Sequence, residues 1–228
     1  MPHHAPPDFP GPPDDLRPAQ LGVVLLGRVT SGQLAVTLVD LDRRGHLRID
    51  EIIGVPPDWS LTRTGGDDAL LPYEQALLGG VCADHERRLS ELGAGLAPTL
   101  KRVRARLLRD AIRRGDLRRW RRRRTESGDR LVPVITAYRR ELRRLRSVRG
   151  EAALDPYLPY ALLFGIGPGA ARSARARADR HRLADFAAAW VAACAGIAGW
   201  AAEHDTAGEV DTWSRDQFGG MPNGGGSI

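Results

Sequence analysis

Residues 31–62 read SGQLAVTLVDLDRRGHLRIDEIIGVPPDWSLT, and the fold turns on how this stretch is read. Leu34, Leu38 and Leu41 recur at helical spacing behind a capping hydroxyl at Thr30 or Ser31. Gly45 is the residue type that ends such a helix in the left-handed conformation. His46 to Asp50 then alternates, with Leu47 and Ile49 on one face. Ile52 and Ile53 follow, Pro56-Pro57-Asp58 reverses the chain, and Trp59 to Thr62 alternates again. Upstream, Pro18 suits the first turn of a helix carrying Leu21, Val24 and Leu25. Helix, helix and two-stranded ribbon in that order predict a winged-helix-like unit over residues 16–65.

The same order returns downstream. Pro72 opens a helix through Leu78, Leu89 to Leu92 a short one, and residues 99–114 a long one. In the long helix Leu100, Val103, Leu107, Leu108 and Ala111 share a side, with Arg102, Arg106, Arg109 and Arg113 largely off it. Gly115 stops it and Asp116 to Trp120 starts a strand. Residues 43–48, RRGHLR, and residues 113–118, RRGDLR, are one junction written twice. The expected fold is therefore mainly α with short β-hairpins: two tandem winged-helix-like units, 16–65 and 66–124, joined near Gly65-Gly66. A helical C-terminal region is expected over 125–212.

That region begins after the basic connector Arg118 to Arg124, which Gly128 breaks, with a helix from about Val132 to Arg149. An apolar run from Leu154 to Phe164 follows, then a glycine-rich break and a basic stretch from Arg172 to Arg182. Residues 186–202 carry no charge and read as a buried helix, with Ala192/Gly196 and Ala195/Gly199 as small pairs for close packing. A membrane span is the competing reading, since Arg180 and Arg182 precede the run and Glu203, Asp205, Glu209 and Asp211 follow it. Residues 1–15 are Pro-rich and 213–228 Gly-rich, so both are expected to be irregular tails.

Charge limits the partners. Of 34 Lys+Arg only Lys101 is lysine, which with abundant Ala and Gly resembles the codon bias of a GC-rich genome, so the preference for Arg over Lys is not read as a functional choice. Residues 101–150 hold 20 basic and 5 acidic residues, a local +15. The other 14 basic and 23 acidic residues leave the remainder at −9. An acidic body carrying a basic segment fits an anionic partner: an acidic protein, an anionic lipid surface or nucleic acid. The competing reading is a solvated helix face. The candidate contact residues are Lys101, Arg102, Arg104 and Arg106 on the long helix, and Arg118, Arg119, Arg121, Arg122, Arg123 and Arg124 behind it. Base reading in a groove finds few suitable side chains in either unit; in the first, only Arg28, Gln33 and Thr37 qualify.

Several stretches together resemble a known family. Residues 36–41 (VTLVDL), 44–49 (RGHLRI), 59–62 (WSLT), 71–74 (LPYE) with Leu77-Leu78, and above all 157–162 (YLPYAL) with Gly165 occur in its order across most of residues 16–170. The chain thereby resembles the C-terminal cytoplasmic region of the bacterial predicted membrane proteins grouped as domain of unknown function two-two-zero-seven. The resemblance implies the fold and not the membrane anchoring. It supplies no catalytic residues, because the family has no agreed activity. Family members carry membrane helices before the Tyr-Leu-Pro-Tyr region; here that interval is the charged Arg121–Arg130 stretch.

No other motif carries chemistry. Residues 163–170, LFGIGPGA, superficially match a dinucleotide loop but no second strand follows, so a helix stop and turn is expected. His3, His4, His46, His85, His181 and His204 form no metal-ligand spacing, and Asp84-His85-Glu86 reads as a surface loop. Two distant cysteines, Cys82 and Cys194, make no disulfide framework and fit a reducing cytoplasm. The first residues lack a basic start with an apolar stretch, so no secretory signal is expected. No catalytic, cofactor or metal residue is assigned. The expectation is a cytoplasmic module, peripheral at the inner membrane where the family resemblance holds, that docks or regulates without catalysis. A DNA-binding regulator and an enzyme of unknown reaction are the alternatives.

Overall fold

Two helices that begin on proline set the frame. The computed structural model describes residues 9–82, 86–119, 123–166 and 174–197. In it α1 (Pro18–Leu26) and α3 (Pro72–Val81) each place proline in the first turn, where a missing N–H costs no hydrogen bond. The third helical residue of each, Gln20 and Glu74, turns back to accept from the backbone N–H ahead of the proline. The distances are 2.8 Å from Arg17 N and 2.8 Å from Leu71 N.

Helix α2 (Ser31–Arg43) starts on a capping box: Gln33 N donates to Thr30 Oγ1 and Thr30 N to Gln33 Oε1. The apolar stripe of Leu34, Leu38 and Leu41 predicts one buried face. The structure instead buries every residue from Ser31 to Leu41, because α1, α3, α6 (Leu158–Leu163), α7 (Ala174–Ala195) and strand β1 (Leu47–Ile52) surround it. With Asp40 its one charge before residue 42, α2 can be enclosed in this way. Gln33 and Thr37 are thus core residues, Thr37 Oγ1 donating to the Gln33 carbonyl at 2.8 Å.

Strand β1 pairs antiparallel with β2 (Asp58–Arg63), Ile49 opposite Leu61. Leu47, Ile49, Trp59 and Leu61 face the core, and Trp59 meets Phe186 of α7 edge-on at 5.6 Å. The tip is apolar and bare, with Ile53 97% and Val55 104% exposed. A two-residue strand, β3 (Arg87–Arg88), adds to β2 and completes a three-stranded sheet ordered β1-β2-β3. Nothing in its two arginines announces a strand, so it is missing from the sequence reading. Helix α4 (Ala97–Arg113) then runs to the second junction.

The two RRG junctions are closed by the same bonds. After α2, Arg44 N donates to Asp40 O (3.0 Å), Gly45 N to Asp42 O (3.1 Å) and His46 N to Leu41 O (2.9 Å). After α4, Arg114 N donates to Asp110 O (3.0 Å), Gly115 N to Ile112 O (3.1 Å) and Asp116 N to Ala111 O (2.9 Å). Gly45 and Gly115 take φ of +78° and +83°, which a side chain would strain. Beyond each hairpin a threonine returns to its junction: Thr64 N to His46 O and Thr125 N to Asp116 O, both 3.0 Å. The Thr64 and Thr125 hydroxyls donate to the Gly45 and Gly115 carbonyls. The second hairpin is only a bridge, Leu117 opposite Arg124, so the expected strand from Asp116 is one residue deep.

These junctions brace one another. Arg44 reaches Asp40 (2.9 Å) one turn back and the fully buried Glu74 of α3 (2.9 Å). Arg114 pairs with Asp110 and with Asp116 (2.6 Å), while Gln20 of α1 donates to Asp110 Oδ2 at 2.7 Å. The third residue of each proline-led helix therefore meets the aspartate–arginine pair that ends the other half's second helix. Asp68 ties the intervening segment down, bonding Arg44 (2.7 Å), Arg17 (2.9 Å) and His46 (2.6 Å). Its slight burial works against the charge, but the Arg44 and His46 hydrogen bonds hold the carboxyl down at about 2.

The C-terminal region departs from the sequence reading in three places. Helix α5 spans Glu126–Arg149, six residues earlier than Val132, because the Thr125 hydroxyl caps it by accepting from Gly128 N. Gly128 does not break the chain. It lies in the first turn of α5, where a Cβ would collide with the Asp116 carbonyl. From Ala174 the basic stretch continues without a break into the uncharged run as one helix, α7, which ends at Ala195. Its buried face is Leu183, Phe186, Ala187, Trp190, Val191 and Cys194, whereas Ala192, Ala195 and Gly196 are exposed, so the small-residue pair at 192/196 is not the packing seam. Among the described residues no helix is long and apolar enough to cross a membrane. The proline-rich start, expected to be irregular, is ordered where it is described: Pro13–Asp15 form a single 3-10 turn with Pro13 buried, and the Phe9 ring packs against Tyr157 at 4.5 Å and Tyr138 at 6.0 Å. Residues 1–8, the Asp84-His85 pair, Gly167 to Ala170, Gly199 and the tail 213–228 lie outside the described residues.

Replacing Arg44 by Met leaves the buried Glu74 carboxylate with only the Leu71 N–H and a distant Arg17 at 3.9 Å, and is expected to cost about 3 kcal/mol in urea unfolding. Adding Glu74→Gln should return at least about 1 kcal/mol of that loss. Additive losses in the double variant would contradict the brace.

Candidate anion-docking surface

The Arg-rich segment divides by whether each cation has an internal partner. On α4 the residues facing away from the core are Pro98, Lys101, Arg102, Ala105, Arg109 and Arg113, spaced three or four apart along one face. The face carries four cations and no carboxylate. The single acid of α4, Asp110, is buried on the opposite side and taken by Arg114 and Gln20. Arg113 is 3.9 Å from Asp110 at its nearest and 60% exposed, too loose a pair to neutralise it. Lys101, Arg102 and Arg109 form no ion pair among the described residues.

The remaining candidates sort as follows. Arg106 is half-buried and donates to the Pro72 carbonyl at 2.9 Å, which joins α4 to the start of α3. Arg104 is half-buried, also along the α4 flank. Arg118 and Arg119 are exposed on the short hairpin that follows α4, and Arg123 stands opposite, its carbonyl accepting from Arg118 N at 2.8 Å. Arg124 is spent inside the fold. It pairs with Asp129 (2.7 Å) and donates to the Leu25 carbonyl (2.9 Å), setting a cation on the free carbonyls that end α1. Arg121 and Arg122 lie outside the described residues.

A second basic face lies on α5. Arg140, Arg143, Arg144 and Arg149 are exposed without an ion pair among the described residues. Arg139 is held below the ordinary range of a guanidinium, first by burial and then by the Arg143 charge beside it. The sequence reading stopped at Arg124 and missed this face; the signal was present in the Arg/acid ratio beyond Arg139 but looked like ordinary helix solvation. Two other arginines of α5 are matched, Arg130 to Glu126 (2.7 Å) and Arg146 to Glu151 (3.1 Å).

No group of three metal-ligating side chains gathers among the described residues, and both cysteines are buried outside any disulfide, with burial pushing the Cys82 thiol up to about 11. No family model, curated protein or solved structure matches the chain.

The sorting predicts unequal costs. Arg124→Ala should lose about 1–2 kcal/mol in urea unfolding, as the carbonyls of α1 lose a charged donor. Arg118→Ala and Arg123→Ala should stay within about 0.5 kcal/mol of the parent. Equal losses at the three positions would contradict the assignment.

Proposed function

We propose that this chain is a non-enzymatic interaction or regulatory module that docks on an anionic partner, an acidic protein or the inner membrane surface. The observation that carries this reading is the outward face of α4, where Lys101, Arg102, Arg109 and Arg113 stand without a neutralising acid beside the exposed Arg118 and Arg123. Leaving like charges clustered on a surface costs stability, and an anionic partner recovers that cost. The two helix–helix–hairpin halves are read as winged-helix-like units, and docking at the membrane surface rests on the same arginines and on the membrane-linked habit of the two-two-zero-seven family that the chain resembles.

A DNA-binding regulator is the second reading. The enclosure of α2 counts against it in the first half, since a helix buried from Ser31 to Leu41 has no face to offer a groove. In the second half α4 and its basic hairpin keep the geometry open to duplex phosphates.

Sedimentation with vesicles containing phosphatidylglycerol tests the leading reading. Binding at low salt, absent with neutral vesicles and steeply weakened by added salt, is expected, since each basic residue near an anionic surface is worth about 1 kcal/mol. Replacing Lys101, Arg102, Arg109, Arg118 and Arg123 together by Ala should weaken binding at least about tenfold with the melting temperature preserved. Equal behaviour with neutral and anionic vesicles would reject membrane docking. Tighter, salt-dependent binding to a DNA duplex than to vesicles would transfer the surface to the second reading.

A further inference from the structure

We propose that the acidic segment at residues 203–216 of this same chain binds the basic face of α4 and competes with the anionic partner for it. This rests on the reading of that face as an anion-docking surface and adds its regulation. Three observations converge.

The first is charge. Residues 203–216 contain Glu203, Asp205, Glu209, Asp211 and Asp216 against Arg215 alone, a net −4. From 183 to 214 the chain has no Lys or Arg at all, although arginine is the commonest charged residue elsewhere. The second is the opposing surface: Lys101, Arg102, Arg109 and Arg113 on one helix face with no acid among them.

The third is where α7 delivers the chain. The end of α7 packs on the turns that lead into α4. Trp190, Cys194 and Ile197 line one cavity of about 200 Å3 together with Leu89, Leu92 and Leu96. Leu96 immediately precedes α4, and Lys101 follows within its first two turns. Ile197 therefore lies at the end of α4 where the basic face begins. Six residues separate it from Glu203, a reach of about 20 Å at full extension. The face itself, from Lys101 to Arg113, is about 18 Å long at the helical rise. A segment tethered this closely has an effective concentration of order millimolar. An intrinsic contact of about 0.1 mM would then keep the face occupied most of the time and weaken a competing partner about tenfold.

Lys101 makes the contact directly readable. It is the only lysine in the chain, so a zero-length carbodiimide amide to a carboxylate must come from it or from the amino terminus. In the protein's monomeric fraction at low salt, peptide mass spectrometry is expected to find Lys101 joined to acids within 203–216. The link should disappear at 1 M salt, where screening acts within about 3 Å. The companion variant is the full chain carrying Glu203→Gln, Asp205→Asn, Glu209→Gln, Asp211→Asn and Asp216→Asn. It should bind phosphatidylglycerol vesicles about tenfold more tightly than the parent. Lys101 joined only to acids outside 203–216, or unjoined, would overturn the proposal whatever the vesicles show. So would a link with unchanged vesicle affinity in the variant. If the link forms but neither protein binds vesicles or duplex, the docking reading fails while the intramolecular contact stands.

Discussion

The aspartate–arginine pair that closes α2 and is repeated at the end of α4 is the constraint on which the rest of this molecule depends. A helix end leaves carbonyls unpartnered, and at both junctions the left-handed glycine turn satisfies them with backbone N–H groups while the neighbouring arginine pairs back to the aspartate one turn earlier. Here each pair also receives a side chain from the first helix of the other half, Glu74 on Arg44 and Gln20 on Asp110. Buried ion pairs contribute little net stability when desolvation is counted, but breaking one is costly. Their effect is to fix how the two halves meet. Gly45 and Gly115, and the returning Thr64 and Thr125, repeat the arrangement closely enough that the two halves are read as copies of one design.

Much of this was legible in the residues. The RRG junctions, the helix ending at Gly45, the β1–β2 hairpin and the apolar side of α4 follow from local spacing, and local spacing is what a turn or an amphipathic helix obeys. What was not legible depends on distant neighbours. That α2 would be enclosed on all sides follows from α6 and α7 arriving from residues more than a hundred positions away. Gly128 reads as a break because glycine usually is one; its role is to let the Asp116 carbonyl come close. Arg124 looks like its neighbours, and only the fold sets it against the Leu25 carbonyl. For the docking surface, the sequence located the density of charge, while the division between used and unused cations needed side-chain positions.

That division links stability to function in this account. Arginines at the junctions and beneath the second hairpin hold the fold, and they are matched by carboxylates or carbonyls. On the outward faces, Lys101, Arg102 and Arg109 of α4 and Arg140, Arg143, Arg144 and Arg149 of α5 have no ion pair among the described residues, and the chain beyond α7 carries a net acidic stretch. A chain with a surplus on one helix and a deficit on a neighbouring segment has the parts of a self-competing electrostatic surface, in which salt and the partner's charge set the outcome.

Arginine-selective labelling with a dicarbonyl reagent, followed over time by peptide mass spectrometry of the native protein, tests the division most directly. The account predicts fast modification of Arg102, Arg109, Arg118 and Arg123 at high salt and slow modification of Arg44, Arg114 and Arg124. Arg44 and Arg114 reacting as fast as Arg102 under native conditions would contradict it.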